Sequence, residues 1–387
     1  MINNFVFHNP TKIYFGDEVK ANLSLELANY GKNVVLVYGC GSVVKNGIFD
    51  EVNEVLKKLD KNIAYIDNVM PNPTLKKLEE GVKIARTHKA DFILALGGGS
   101  VCDYSKALAA SINYDGDFWQ EYFINQSEPK CDVVPLGCVL TMCGTGSEMN
   151  GGSVITNEQT HQKIGKVFQD RRVFPKFSII NPKYTLTLSK YQMVNGIYDA
   201  FNHICEQYFS DDFDNVSDYV AEGLMRSIIV ASKKAIKNPN DYEARSNIAW
   251  ASTLALNTLI HCAKSGDWMV HMIGQAIGGV TNATHGESLS AISLAYYEYI
   301  LPYNVLKFKR FAINVWGVSD DEDDLKVALN GLKAMREWMC ELGLSINLKG
   351  ILDESLIDEV VKNTFILNGG YKELDANEIA LVLKNSL

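Results

Sequence analysis

The chain has 387 residues, 47% of them hydrophobic and 21% charged, with a formal net charge of -9. That size accommodates two domains, and acidity without a basic stripe argues against nucleic acid as a partner. No apolar run reaches the roughly eighteen residues that a membrane span needs, which argues against a membrane partner. The opening MINNFVFHNP has neither the basic segment nor the apolar core of a signal peptide. Eight cysteines (40, 102, 131, 138, 143, 205, 262 and 340) form no C-x-x-C pair and sit mostly in apolar stretches such as LGCVLTMCG. Reduced thiols in a cytoplasmic protein fit this pattern better than a disulfide framework.

The first half of the chain alternates two patterns. NVVLVY (33–38), NIAYID (62–67), DFILAL (91–96) and DVVPLGCVL (132–140) are predicted strands. EVKANLSLELANYG and NPTLKKLEEGVKIARTHK, between them, carry helical spacing. Strands alternating with helices imply βαβ units and a mainly parallel sheet covered on both faces. From about Tyr184 prolines nearly vanish and longer helical segments follow, at 189–209, 215–236, 241–263, 267–280, 285–300 and 323–343. The predicted organisation is an α/β nucleotide-binding domain (1–182) and an all-α domain (183–387) for metal and substrate, divided near Asn181-Pro182.

DFILALGGGSVCDYSKALAA reads as strand, glycines, helix. Gly97, Gly98 and Gly99 let a ligand approach the backbone, Ser100 is placed to cap the helix, and the helix N-terminus offers free N–H groups. A pyrophosphate suits that combination, and so does a plain tight turn. Asp103 would favour the helix dipole or hold ribose hydroxyls. A second glycine turn, VYGCGSVVKNG, places Gly39, Gly41 and Ser42 at the end of the first long strand. It has no acid for a ribose 2′-hydroxyl, and Lys45 is near, so the cofactor reading is NADP or NAD with a lean to NADP.

GIYDAFNHICEQYF (196–209) sets Asp199 and His203 at i and i+4, with Glu206 on the same side and apolar residues opposite. A solvated helix face explains this arrangement; half of a metal site explains it as well. The other half would come from GDWMVHMIGQAIGGVTNATHGESLS, through His271 and His285. One Asp and three His make a site for one divalent ion such as Fe²⁺ or Zn²⁺. His8, His88, His161 and His261 have no comparable acid partner. Phe168, Trp268, Met269 and Tyr198 are candidates for an aliphatic slot, or plain core.

LTMCGTGSEMNGGSVIT (140–156), then QKIG, GIYDAFNHICEQYF and DWMVHMIGQ…THGESLS closely resemble the iron-containing (group III) alcohol dehydrogenase family, nearest its butanol dehydrogenase and broad-range aldehyde reductase branch. The match runs in order from about Phe5 through Trp316. It implies a dehydroquinate synthase-like fold with a cleft, a cytoplasmic homodimer, and hydride transfer between NAD(P)H and short- to medium-chain aldehydes of the butanal/butanol type, with the ion polarising the carbonyl or alkoxide oxygen. By position Asp199, His203, His271 and His285 match the metal ligands, and Gly97 to Ser100 with Asp103 match the pyrophosphate loop. Asn72, Thr141, Ser147 and Lys163 match residues that line the nucleotide. Three positions depart from the family: Gln275 replaces a histidine four residues after the third ligand, Cys40 a glycine, and Asn181 an aspartate. No catalytic residue beyond the metal ligands is assigned. Polyol oxidation of the glycerol dehydrogenase type, dehydroquinate synthase-like lyase chemistry, a metal-dependent hydrolase and a nucleotide sensor with a structural metal are the alternatives. The absence of Lys and Arg from 195–209 and 267–289 disfavours the lyase, and a hydrolase or sensor would leave the nicotinamide band unchanged on mixing with butanal.

Overall fold

A computed structural model describes residues 3–210 and 214–387. They divide into two compact units: His8–Leu188, and Ser189–Leu387 together with the N-terminal segment that ends at Phe7.

The first unit is built on a six-stranded parallel sheet. Its strands are β1 (Lys12–Phe15), β2 (Asn33–Gly39), β3 (Asn62–Val69), β4 (Phe92–Gly97), β5 (Leu136–Leu140) and β8 (Phe177–Ile180), in the order β1-β8-β5-β4-β2-β3. The connections carry α1 (Val19–Leu27), α2 (Ser42–Lys45), α3 (Ile48–Lys58), α4 (Leu75–Thr87) and α5 (Gly99–Ser111). Because the sheet is covered on both faces, its central strand β4 is buried at every position and reads as a continuous apolar run. Leu23, Leu36, Val52, Leu94, Val139 and Ile179 meet in one of the resulting cores.

The four predicted strands are present, with one shortened. DVVPLGCVL is extended only from Leu136, because Pro135 has no N–H to give to a ladder and instead accepts from the Ile93 N–H through its carbonyl (3.0 Å). The sequence reading passed over the four-residue strands β1, at one edge, and β8, between β1 and β5. It also passed over an antiparallel hairpin of β6 (Gly152–Asn157) and β7 (Gln162–Val167). The units part between Leu188 and Ser189, later than the predicted boundary after 182. The turn Pro182–Thr187 stays with the sheet unit, through Tyr184 donating to Glu51 (2.6 Å) and Asn46 donating to Thr187 (2.9 Å).

The second unit is helical: α6 (Lys190–Tyr208), α7 (Val216–Lys237), α8 (Tyr242–Ala255), α9 (Met269–Thr281), α10 (His285–Ile300), α11 (Val305–Trp316), α12 (Asp324–Leu342), α13 (Ile357–Asn363) and α14 (Ala376–Asn385). A capping box at Ser189 and Gln192 fixes the start of α6. The predicted helix 241–263 stops at Ala255. Asn257 accepts the Leu259 N–H (3.1 Å), and Thr258 takes a left-handed conformation with φ +76°, which a β-branched residue seldom adopts. Among the described residues no helix is long and apolar enough to cross a membrane. None of the eight cysteines forms a disulfide: 102, 138, 143 and 205 are buried, 40 and 340 exposed.

Helices α11 and α12 approach closely at Gly331, where an added Cβ would lie 2.6 Å from the Ala312 Cβ and 2.9 Å from its Cα. Gly331→Ala should therefore cost about 1–3 kcal/mol of stability through overpacking, read as a lower midpoint in urea at an unchanged slope.

Candidate metal centre and dinucleotide-binding residues

Helix α6 is buried from Met193 through Tyr208, so the side that carries Asp199 and His203 is not a solvated face. Asp199 is 3% exposed. Three imidazole nitrogens surround its Oδ1: His203 Nδ1 at 3.6 Å, His271 Nε2 at 3.6 Å and His285 Nε2 at 3.5 Å. They come from α6, α9 and the first turn of α10. Asp199, His271 and His285 each offer one ligand atom within 4.8 Å of the others, and the His203 ring stacks on His271 with centroids 4.4 Å apart.

These separations fit a metal. Ligands at about 2.0–2.2 Å around one ion lie roughly 3.3–3.6 Å apart, the distance at which each imidazole stands from Asp199. Asp199, His271 and His285 form the mutually close group, and His203 joins it through Asp199. Asp199 Oδ1 and His271 Nε2 are buried and make no hydrogen bond among the described residues, an expensive arrangement unless something else satisfies them. The donors are one carboxylate and imidazoles, which suits Fe²⁺ or Zn²⁺. Burial alone would raise the Asp199 carboxyl pKa, but the three imidazoles hold it well below the usual range. Burial would lower the His271 pKa, and the Glu206 and Asp199 carboxylates instead raise it to about 9. The Asp199 carboxylate is thus stabilised as an anion, and the His271 imidazole as a cation while no metal is bound. His285, with 25% of its side chain exposed, marks the open side.

The loop into α9 shapes one wall. Trp268 stands in a left-handed conformation (φ +62°), with its indole edge-on to His203 and His271 at 6.3 and 5.6 Å. Asp267 anchors that turn by accepting from the Met269 N–H (3.0 Å) and from Tyr296 (2.7 Å), and burial with the Glu206 charge pushes its carboxyl up to about 7. Of the proposed slot residues, Trp268 alone touches the cluster. Tyr198 bonds Ser293, Phe168 packs on Tyr122, and Met269 is fully buried beside Leu367; all three are core. Gln275, one turn after His271, is 7% exposed. Sequence reasoning placed Glu206 on the right side of α6 but gave it no role. Its carboxylate accepts from His271 Nδ1 and from Asn202 (2.8 Å), a pairing across 65 residues with no local signature.

In the sheet unit the parallel strands end along one edge. That edge presents Gly39–Ser42 after β2, Asn72 after β3, Gly97–Ser100 after β4 and Thr141 after β5, where doubly wound sheets take ligands. The first N–H groups of α5 have no acceptor within the helix, which suits a pyrophosphate. The N-cap of α5 is Gly98, and Ser100 lies inside its first turn, so the expected Ser100 cap is not formed. The three glycines answer to protein neighbours. A Cβ would meet Val101 at 2.5 Å from Gly97, Met142 at 3.1 Å from Gly98 and Thr145 at 2.4 Å from Gly99. The Thr141 N–H bonds the Gly97 carbonyl (2.9 Å), locking the 141–146 loop against the turn.

Asp103 serves that same loop, accepting from Ser147 Oγ and from the Val154 N–H (3.0 Å). These bonds make Asp103 a strut between α5 and the hairpin. Lys163 and Asn72 come together at 2.8 Å. Lys106, which the sequence reading did not single out, is fully buried. Its ammonium donates to the Ser147 carbonyl (2.8 Å), the Asn150 carbonyl (3.2 Å) and the Asn150 side chain (3.0 Å), and so pins the SEMN turn.

Residues 10–182 match the model of the family described as iron-containing alcohol dehydrogenase, and residues 193–387 match that of the Fe-containing alcohol dehydrogenase family, C-terminal. The chain is 36% identical to the NADH-dependent butanol dehydrogenase A of Clostridium acetobutylicum over 392 residues, covering 99% of each. It is 36% identical to the NADPH-dependent aldehyde reductase YqhD of Escherichia coli over 365 residues, covering 93% of this chain and 92% of the other. The crystal structure of NADH-dependent butanol dehydrogenase A from Thermotoga maritima superposes with a TM-score of 0.94 at 36% identity, covering 100% of this chain and 99% of that one.

Gly286 holds the start of α10 against α6: a Cβ there would lie 2.4 Å from the Asn195 carbonyl oxygen. Gly286→Ala should move His285 off Asp199 and lower retained metal per chain, measured by elemental analysis after dialysis.

Proposed function

The chain belongs to the iron-containing alcohol dehydrogenase family and is an NAD(P)-dependent oxidoreductase of alcohols and aldehydes; from that premise we propose that it reduces short- to medium-chain linear aldehydes and holds its divalent ion through Asp199, His203, His271 and His285. The observation that carries this reading is the convergence of three imidazoles on the buried Asp199 carboxylate at 3.5–3.6 Å. The relatives named butanol dehydrogenase and aldehyde reductase support the aldehyde class, and the family resemblance supports a cytoplasmic homodimer.

When bound, a divalent ion supplies Lewis acidity at the substrate oxygen, and a reduced nicotinamide supplies the hydride. The chain's own residues do the rest. Asp199 is the single anionic donor of four, so the donor set carries one negative charge. His285 sits at the exposed side, where a small carbonyl compound can enter. Trp268 covers two of the imidazoles with apolar surface, which keeps water from that side and suits an alkyl chain. The first N–H groups of α5 would take the pyrophosphate. Gln275 can hydrogen-bond but cannot titrate, so it neither takes nor gives a proton.

The loop Gly39-Cys40-Gly41-Ser42 carries no acid, and its single cation-bearing neighbour, Lys45, is exposed. A 2′-phosphate is not repelled there, which supports acceptance of NADPH beside NADH.

Three measurements test these readings. Mixing enzyme, reduced dinucleotide and butanal should bleach the nicotinamide absorbance. His285→Ala should remove bound metal and lower kcat/KM beyond the roughly hundredfold that losing a supporting contact costs. No absorbance change across an aldehyde chain-length series would refute the reductase reading, and full turnover by a metal-free variant would refute the ligand assignment. Cys40→Asp should lower kcat/KM for NADPH about tenfold or more while sparing NADH, because like charges set side by side cost several kcal/mol. An unchanged NADPH-to-NADH ratio would remove this loop from the choice of cofactor.

A further inference from the structure

Behind His271 lies a carboxylate outside the proposed ligand set. Glu206 is fully buried on α6. Its Oε2 accepts from His271 Nδ1 and from the Asn202 amide (2.8 Å), and its Oε1 accepts from the His271 backbone N–H (3.1 Å). Asn202 is held in turn by the Tyr297 hydroxyl (2.7 Å), and both residues are fully buried. The Glu206 carbonyl accepts the Asp267 N–H (2.8 Å), which ties the loop before α9 to the same point. Among the described residues no Lys or Arg lies within ion-pair distance of Glu206; its charged partner is His271. A buried carboxylate with so little compensation is costly unless its hydrogen bonds do specific work.

We propose that Glu206 is the positioning residue of the metal centre. By accepting the His271 Nδ1–H it fixes the tautomer and ring orientation that turn the Nε2 lone pair toward Asp199 and raise its donor strength. The geometry is that of a carboxylate–histidine pair set behind a metal. The inference rests on the metal reading given above. A purely structural alternative exists, because the His271 N–H is in the first turn of α9, whose own N-cap, Trp268, supplies no side-chain acceptor. Glu206 Oε1 would then merely cap α9 from a neighbouring helix.

Glu206→Gln separates the two roles, because it keeps an amide oxygen for the backbone N–H but removes the charge facing Nδ1. Apo protein would be titrated with Co²⁺ while its visible d–d absorption is followed, and Zn²⁺ affinity would be measured by competition with a chromogenic chelator. Glu206→Gln is expected to weaken Zn²⁺ binding by roughly 10–100-fold and to shift the Co²⁺ bands. An unchanged affinity and an unchanged spectrum would overturn the proposal, even if thermal stability falls. Should the variant not fold, Asn202→Ala, which frees Oε2 but leaves the carboxylate, is read the same way: weaker Zn²⁺ binding supports the proposal and unaltered binding overturns it. Failure of the wild-type chain to bind one Co²⁺ would instead overturn the metal reading itself.

Discussion

The helical unit is organised by the cost of burying one carboxylate. Asp199 lies in the middle of α6, almost fully withdrawn from water, with no lysine or arginine among its ion-pair partners. An isolated anion there is untenable. The structure meets that cost with imidazoles from α6, α9 and α10, so the three helices must cross at one point and at one rotation. The features around that crossing follow from this need. Gly286 lets α10 reach α6. The capping box at Ser189 fixes where α6 begins, and hence which turn faces inward. The strained turn at Trp268 sets the start of α9 so that His271 points at Asp199. The same cluster that removes the electrostatic difficulty has the donor chemistry of a metal site, so under the proposed function the demand of folding and the demand of chemistry fall on the same atoms.

The sheet unit solves a different problem. A dinucleotide needs backbone N–H groups and a close approach, and those can be offered only if the surrounding loop is itself rigid. A Cβ at Gly97 would meet Val101 of α5, while Gly98 and Gly99 let Met142 and Thr145 of the 141–146 loop lie on the turn. Behind it, the Lys106 ammonium and the Asp103 carboxylate bind the loop and hairpin from inside. Asp103, which the sequence offers as a ligand contact, makes internal bonds here, and so does Lys106. The surface left for a ligand is mostly main chain, in keeping with recognition of a pyrophosphate by N–H groups.

These differences explain what could be read from the chain alone. The parallel sheet was legible because buried strands are apolar at every position and alternate with amphipathic helices. The four-residue strands β1 and β8 were not, since a run such as FSII is too short for periodicity to register. Asp199 and His203 were legible as a pair because helical spacing is local. His271 and His285 lie 72 and 86 residues beyond Asp199 (271 − 199 and 285 − 199), and only the family motifs linked them to it. Glu206 stood in the same quoted stretch and looked like one more polar residue on a wet face. Nothing in its neighbours in sequence reveals a partner on α9. The slot residues failed for a related reason: Tyr198 and Phe168 are large and apolar, but their hydrogen bonds and ring contacts are made within cores. Trp268 differed through a left-handed backbone that no pattern announced.

The two carboxylates of α6 divide the electrostatic work by depth. Asp199 faces the cluster and supplies its one formal negative charge; Glu206 stands behind and acts through His271. Had Glu206 reached the cluster directly, the donors would carry a second negative charge, which would blunt the Lewis acidity of an ion held there as proposed. Set one imidazole back, the second charge strengthens a donor and fixes its direction without adding to the count in the pocket. On the far side of His271, one turn along α9, Gln275 is polar and neutral. The cluster is thus backed by a charge at Glu206, while one turn along α9 Gln275 is neutral, and His285 is its most exposed member.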